Sequence, residues 1–315
     1  MSKVTVCIPA YKSGFLLTRT LQSLVRQTHS DFIALIAVEP PYTETLSFIA
    51  AFHSDKRFKV STNCKRLGWD ANIRNLLEQV ETPFFFILPH DDLVHPRYIE
   101  LLLAELEKDD TAIVAYADMH VFGYCVPHRK MVDLPRDGNR EEQILAFFLA
   151  GAEAVPWRGL TRSSVISQIG GFPTDGFMGF AVECEWALAL IAHGRAIRLP
   201  RKLYFKQSYH PNEDTASRNR IHCQSEDLRI AAWERHRSAM LTILNQAIPV
   251  YSPLRAIIEI AAKAAMLRRY CQFIGPLKTD YLRSNVLDLI DQNRALEKSS
   301  KIEAEKIEHL LLKCL

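Results

Sequence analysis

The segment FFFILPHDDLVHP, residues 84–96, runs five apolar residues into two adjacent carboxylates, Asp91 and Asp92, with His90 and His95 on either side. Vicinal carboxylates at a strand end can hold a hard divalent cation such as Mg2+ or Mn2+ and leave coordination positions for phosphate oxygens. Aspartates there can equally cap a helix that starts at Pro96. Three further stretches carry chemistry-capable residues. NCKRLGWDANIRN, residues 63–75, joins a Gly turn to a helix start and offers backbone N–H groups with Lys65 and Arg66 to an anion, or is an ordinary strand-to-helix connection. GFAVECEW, residues 179–186, sets Glu183 and Glu185 in an apolar run. A part-buried carboxylate there suits general-base work, and a helix N-terminus favours acids for its dipole alone. KQSYH ends on His210, a metal ligand or phosphate donor if it is more than a loop histidine.

The elements that must position these groups follow from hydrophobic pattern. Strands are expected at Val4–Pro9, Phe32–Val38, Phe58–Ser61, Phe84–Leu88 and Ile113–Tyr116. Helical stripes fall at Leu17, Leu21, Leu24 and Val25, at Phe48 to Phe52, at Ile73, Leu76, Leu77 and Val80, and at Ile99, Leu102, Leu103 and Leu106 behind Pro96. A further helix is expected over Glu183–His193, stopped by Gly194. Unbroken apolar strands alternating with helices indicate an α/β fold with a mostly parallel central sheet flanked by helices. Such sheets bind ligands beyond the carboxyl ends of their strands, where Asp91 and Asp92 fall. The expected division is a domain over 1–224, with a nucleotide-binding half at 1–120 and an acceptor-side half at 121–224. A helical C-terminal region is expected over 225–315.

Bulk properties narrow the class. At 315 residues and 48% hydrophobic, the chain can bury a large core. A net charge of +3 gives no footing for a nucleic-acid partner. Seven dispersed cysteines without a C-x-x-C pair read as reduced thiols, and MSKVTVCIP enters a strand directly. Both lead to an expected cytoplasmic location without a cleaved leader. No apolar run reaches the roughly twenty residues a spanning helix needs. The C-terminal helices carry Arg255, Lys263, Arg268 and Arg269, so burial against the domain, a homodimer contact, or peripheral contact with the inner face of a membrane are the options for them.

Taken in order, VTVCIPAY at 4–11, Val38-Glu39, LGWDAN at 67–72, LPHDD at 88–92 with Pro96, Arg158-Gly-Leu160, Gly170-Gly-Phe172 and the Glu183 helix resemble the family-two glycosyltransferases over roughly residues 3–210. That resemblance implies the glycosyltransferase-A fold of nucleotide-diphospho-sugar transferases. It implies a nucleotide pocket lined by Pro9, Ala10 and Tyr11, with Glu39 at the base-contacting position and Asn72 and Asp91 among the donor-binding residues. Asp91 and Asp92 would bind ribose and a divalent cation, Mn2+ or Mg2+, with His210 able to approach the metal or diphosphate. Glu183 would be the general base, and Glu185 the second candidate. The implied reaction transfers a sugar from a nucleotide-sugar donor to a glycan or other hydroxyl acceptor with inversion, within polysaccharide or glycoconjugate synthesis.

The sequence departs from the family pattern at several places. Pro89 stands where the first motif aspartate is usual, Glu39 replaces aspartate, Lys12 replaces a frequent Asn, and Gln207 lies where Arg is common. These departures keep a non-catalytic, sugar-nucleotide-binding or scaffold relative as the alternative. A helical His-Asp phosphohydrolase is disfavoured, because His90-Asp91 follows a strand.

Overall fold

The computed structural model describes residues 2–176, 179–208, 225–273, 280–296 and 301–312. The chain forms two compact units, one of residues 1–131 with 155–213, the other of residues 132–154 with 214–315. Residues 132–154, expected in the acceptor-side half, cluster with the C-terminal helices.

The first unit is built on one nine-stranded sheet in the order β3-β2-β1-β4-β8-β6-β9-β5, with β7 on β6. The strands are β1 Val4–Ala10, β2 Phe32–Val38, β3 Phe58–Thr62, β4 Phe84–Ile87, β5 Leu93–Val94, β6 Ala112–Gly123, β7 His128–Lys130, β8 Leu160–Arg162 and β9 Arg195–Ser208. β1, β2, β3 and β4 pair in parallel. All seven residues of β1 are buried, as expected of a central strand covered on both faces. Beyond β4 the sheet becomes mixed: β8 pairs antiparallel with both β4 and β6, while β6 and β9 run parallel.

Helices cover this sheet where the apolar spacing requires. In α1, Gly14–Val25, the residues Leu17, Leu21 and Leu24 are fully buried, each burial worth about 1.5–3 kcal/mol. α2 (Thr43–Ile49) packs against α1, and α3 (Trp69–Leu77) packs on β1 and β2. α4 (Tyr98–Lys108) packs on β6, β8 and β9, and α7 (Val182–His193) on β6 and β9. Between α4 and α7 in sequence come α5 (Arg140–Leu149), of the second unit, and α6 (Ser164–Ile169). α4 starts two residues after Pro96, because Leu93 and Val94 pair with Tyr204 and Phe205 of β9 and hold the chain extended. The aspartates at 91 and 92 thus precede a strand rather than a helix, and the capping alternative for them falls.

In the second unit, α5 begins with a capping box: Asn139 Oδ1 accepts the Glu142 N–H at 3.0 Å, and Glu142 Oε2 accepts the Asn139 N–H at 2.8 Å. The other helices are α8 Glu226–Ala247, α9 Arg255–Phe273, α10 Asp280–Leu296 and α11 Lys301–Leu312. α9 is the hub, packing on α5, α8, α10 and α11. Two of the four basic residues weighed for membrane contact are used inside this unit. Arg269 is buried and donates to Ala152 O at 2.6 Å, and Arg255 donates to Ile248 O at 2.8 Å and pairs with Glu259 at 2.7 Å. Lys263 is exposed. Among the described residues no helix is long and apolar enough to cross a membrane.

Candidate active site

The carboxyl ends of β1, β2 and β4 bring the amino-terminal candidates together. Pro9 and Ala10 close β1 in a buried position, and Tyr11 follows, half-buried under the Arg66 guanidinium at 4.1 Å from its ring centroid. His90 Nδ1 lies 3.1 Å from Pro9 O, tying the loop after β4 to the end of β1. Thr20 of α1, fully buried, places its hydroxyl 2.8 Å from His90 O, 2.9 Å from Asp92 O and 3.2 Å from Leu16 O, so one proton is shared among three carbonyls.

Glu39 is buried at the end of β2, and its backbone N–H donates to Ala10 O at 2.9 Å. Its Oε1 accepts the N–H groups of Leu67 and Gly68 at 2.7 and 2.8 Å. The carboxylate therefore shapes the Gly turn before α3, where Gly68 takes a φ of 94° that a side chain disfavours. Asn72, expected to meet the donor, is buried with both ends of its amide committed: Nδ2 donates to Ala37 O at 3.0 Å, and Oδ1 accepts from Asn63 Nδ2 at 3.0 Å. It joins α3 to β2 and to the Asn63 side chain.

Asp91 and Asp92 are not equivalent. Asp91 is half-buried at the loop surface. Asp92 is 2% exposed, and both its oxygens are held by protein donors. Tyr204 Oη donates to Oδ2 at 2.7 Å, the Gln207 N–H donates to Oδ1 at 2.9 Å, and Arg158 Nε lies 3.4 Å from Oδ2. Burial pushes the Asp92 carboxyl above the usual carboxylate range and Asp91 adds to this, while Arg158, Lys206 and the Tyr204 hydroxyl oppose the shift. Burial likewise pushes Tyr204 well up, and the Asp92 charge reinforces it, so the phenol keeps its proton and remains the donor. Asp92, expected as a metal ligand, thus has protein donors on both oxygens. Among the described residues no group of three His, Cys, Asp or Glu side chains surrounds a common point. His210 lies outside the described residues.

On the other side, the 310 turn Val155–Arg158 sets Arg158 over the Trp157 ring at 4.6 Å and the Tyr204 ring at 5.4 Å. Burial works against the Arg158 charge, but Tyr204, Asp92 and Glu183 together carry its pKa up. Glu183 thus lies within the field of the same guanidinium that pairs with Asp92. It is half-buried in the first turn of α7, whereas Glu185 is buried. The approach to α7 is fixed by Asp175, whose oxygens accept the N–H groups of Gly179 at 2.7 Å and Phe180 at 2.6 Å. A side chain at Gly179 would begin 2.2 Å from Trp69 Nε1, so the close approach of this loop to Trp69 requires glycine.

Sequence reasoning passed over Tyr204, Lys206 and Thr20, and quoted Arg158 without giving it a site role. The one local signal was the alternation of Tyr204, Lys206 and Ser208 along a strand, which puts them on one face.

A sheet with carboxylates at its strand ends and a further carboxylate opening a helix across from them is the arrangement of a nucleotide-diphospho-sugar transferase. Residues 5–167, more than half of the chain, match the model of glycosyl transferase family 2, and the chain belongs to that family. A glycosyltransferase of Haemophilus influenzae is 26% identical over 125 residues, a match spanning 39% of this chain and 39% of that protein. A protein of Mycobacterium tuberculosis is 23% identical over 224 residues, covering 67% of this chain and 69% of its own length. S. aureus TarS 1–349 in complex with UDP-GlcNAc superposes with a TM-score of 0.67 at 16% identity, covering 98% of this chain and 90% of that one. The mannosyltransferase PcManGT from Pyrobaculum calidifontis, in complex with GDP-Man and Mn2+, gives a TM-score of 0.50 at 15% identity, covering 99% and 85%. These likenesses show the shared glycosyltransferase-A fold.

Proposed function

We propose that the protein transfers a sugar from a nucleotide-sugar donor to an acceptor hydroxyl with inversion at the anomeric carbon. The observation that carries this reading is Arg158, paired with Asp92 on the donor side and within the field of Glu183 on the other. The donor nucleotide would lie across the ends of β1 and β2. Pro9, Ala10 and Tyr11 would line its pocket, and Glu39 would shape the turn beside the base. Asp91 would face the ribose and diphosphate.

In the reaction, the acceptor O–H gives its proton to Glu183 as its oxygen bonds to the anomeric carbon. The bond from that carbon to the phosphate oxygen breaks, and its electron pair leaves with the diphosphate. Glu183 is preferred to Glu185 as the base because only Glu183 has access to solvent as well as to Arg158. The described donor set fits a hard cation through one carboxylate, so Asp91 would hold Mn2+ or Mg2+ together with oxygens of the donor. Such a cation supplies charge neutralisation on the phosphates. Support for a nucleotide-sugar donor comes from family membership and from the fold shared with TarS and PcManGT. The acceptor would be a glycan or another hydroxyl compound of polysaccharide or glycoconjugate synthesis.

The test is release of nucleoside diphosphate from a panel of uridine- and guanosine-diphosphate sugars, with Mn2+ or with chelator, by wild type and Glu183→Gln. Donor-specific release that disappears in the variant supports the reading. Binding of a donor with no turnover on any acceptor would move it to a sugar-nucleotide-binding relative.

A further inference from the structure

Lys206 sits two residues beyond Tyr204 on β9, so its side chain leaves the same face of the strand and lies one step nearer the strand's carboxyl end. The intervening strand is fixed on both sides of it: Phe205 pairs with Leu93, and the Gln207 N–H is bonded to Asp92. Lys206 is half-buried, and it lies close enough to Asp91, Asp92, Arg158 and Lys130 to feel each of their charges. Among the described residues its ammonium nonetheless makes no hydrogen bond and no ion pair. Of the two carboxylates, Asp92 is bonded to Tyr204 and Gln207 and paired with Arg158. A charge partly withdrawn from water without a partner is costly, and such a group beside the acidic strand end points to a counter-ion that arrives with the ligand.

We propose that Lys206 contacts the diphosphate of the donor and supplies protein-borne positive charge to it, with Arg158 behind it holding the strand end in place. This rests on the donor reading above and assigns part of the phosphate neutralisation to the chain itself. Asp92 then has a positioning role: it orients Tyr204, the Gln207 amide and Arg158, and so fixes the strand that carries Lys206. Asp91 is the more exposed carboxylate of the two. The leaving diphosphate would meet a lysine in addition to any cation, so its binding should persist in part when divalent metal is removed.

The experiment is calorimetric titration of wild type, Lys206→Met and Lys206→Arg with inorganic pyrophosphate, uridine diphosphate, guanosine diphosphate and the two nucleosides, each with Mn2+ and with chelator. Folding of the variants is checked by melting temperature, and Lys206→Gln replaces the Met variant if that one does not fold. The expected result is a loss of about tenfold or more in pyrophosphate and diphosphate affinity in Lys206→Met, since a charge-assisted hydrogen bond is removed. Nucleoside affinity is expected to stay unchanged, and Lys206→Arg to keep most of the diphosphate affinity. Equal affinities of wild type and Lys206→Met for pyrophosphate and both diphosphates overturn the proposal while leaving the donor reading intact. Lys206-dependent binding of pyrophosphate without binding of either nucleotide supports the anion site and removes the donor reading. No binding of any phosphate by folded wild type removes both.

Discussion

Tyr204 donates its hydroxyl to Oδ2 of Asp92 at 2.7 Å across 112 residues of sequence. This bond, with the Gln207 amide on the other oxygen, fastens the loop after β4 to β9 and separates the roles of two adjacent aspartates.

The separation has a stability consequence. Asp92→Ala strands Arg158 and the Tyr204 hydroxyl in a buried site, and removal of one member of a buried pair costs about 3–5 kcal/mol. Asp91→Ala is expected to stay within about 1 kcal/mol of wild type and to lose donor affinity instead. Urea denaturation of both variants checks this; equal destabilisation by the two would mean the aspartates are interchangeable.

Glu39 acts through one oxygen on two backbone amides. Glu39→Ala should free both, so that hydrogen exchange at Leu67 and Gly68 accelerates while the β1–β2 amides stay protected. Glu39→Gln keeps an oxygen that can accept both bonds and should leave exchange near wild type. Exchange rates that do not respond to Glu39→Ala would show the turn to be held by other means.

Glu183 and Glu185 should part kinetically. Glu183→Gln is expected to lower kcat by at least about 100-fold with nucleotide binding unchanged, the usual scale for a general base. Glu185→Gln alters a buried position and should show first in the melting temperature. A variant pair with the reverse pattern would reassign the base.

Glu100, at the start of α4, contributes to the acid dependence of stability. Hydrogen bonds from Arg97, then from Thr28, bring its carboxyl down from 4.5 to about 2. The folded pKa lies below the unfolded one, so the contribution is present above pH 4.5 and is lost as pH falls toward about 2. Melting temperatures of wild type and Glu100→Gln measured over this range should converge in acid. A constant gap across it would detach Glu100 from acid unfolding.

Much of the first unit could be read directly from the chain. The unbroken apolar runs at Val4–Ala10, Phe32–Val38 and Phe84–Ile87 encode strands buried on both faces, and the leucine spacing of α1 and α4 encodes helices with one buried side. Asp91, Asp92 and Glu183 stood out because charge ends an apolar run at each place. Their residue types and order, with Glu39 and Pro9 to Tyr11, were enough to expect the family.

What the sequence determined by itself was local: periodicity sets which segments are strands and helices, and the acidic strand ends follow from it. What only the tertiary structure decided was partnership. Asn72 looks like a ligand group until Ala37 and Asn63 are seen to take both ends of its amide. Asp91 and Asp92 look alike until β9 arrives from more than a hundred residues away and bonds to one of them. Lys206 is an ordinary strand lysine until the same pairing sets it near two aspartates and an arginine, without a partner of its own among the described residues. Hydrogen bonds and ion pairs depend on distances of a few ångströms between remote segments, and no periodicity along the chain carries that information.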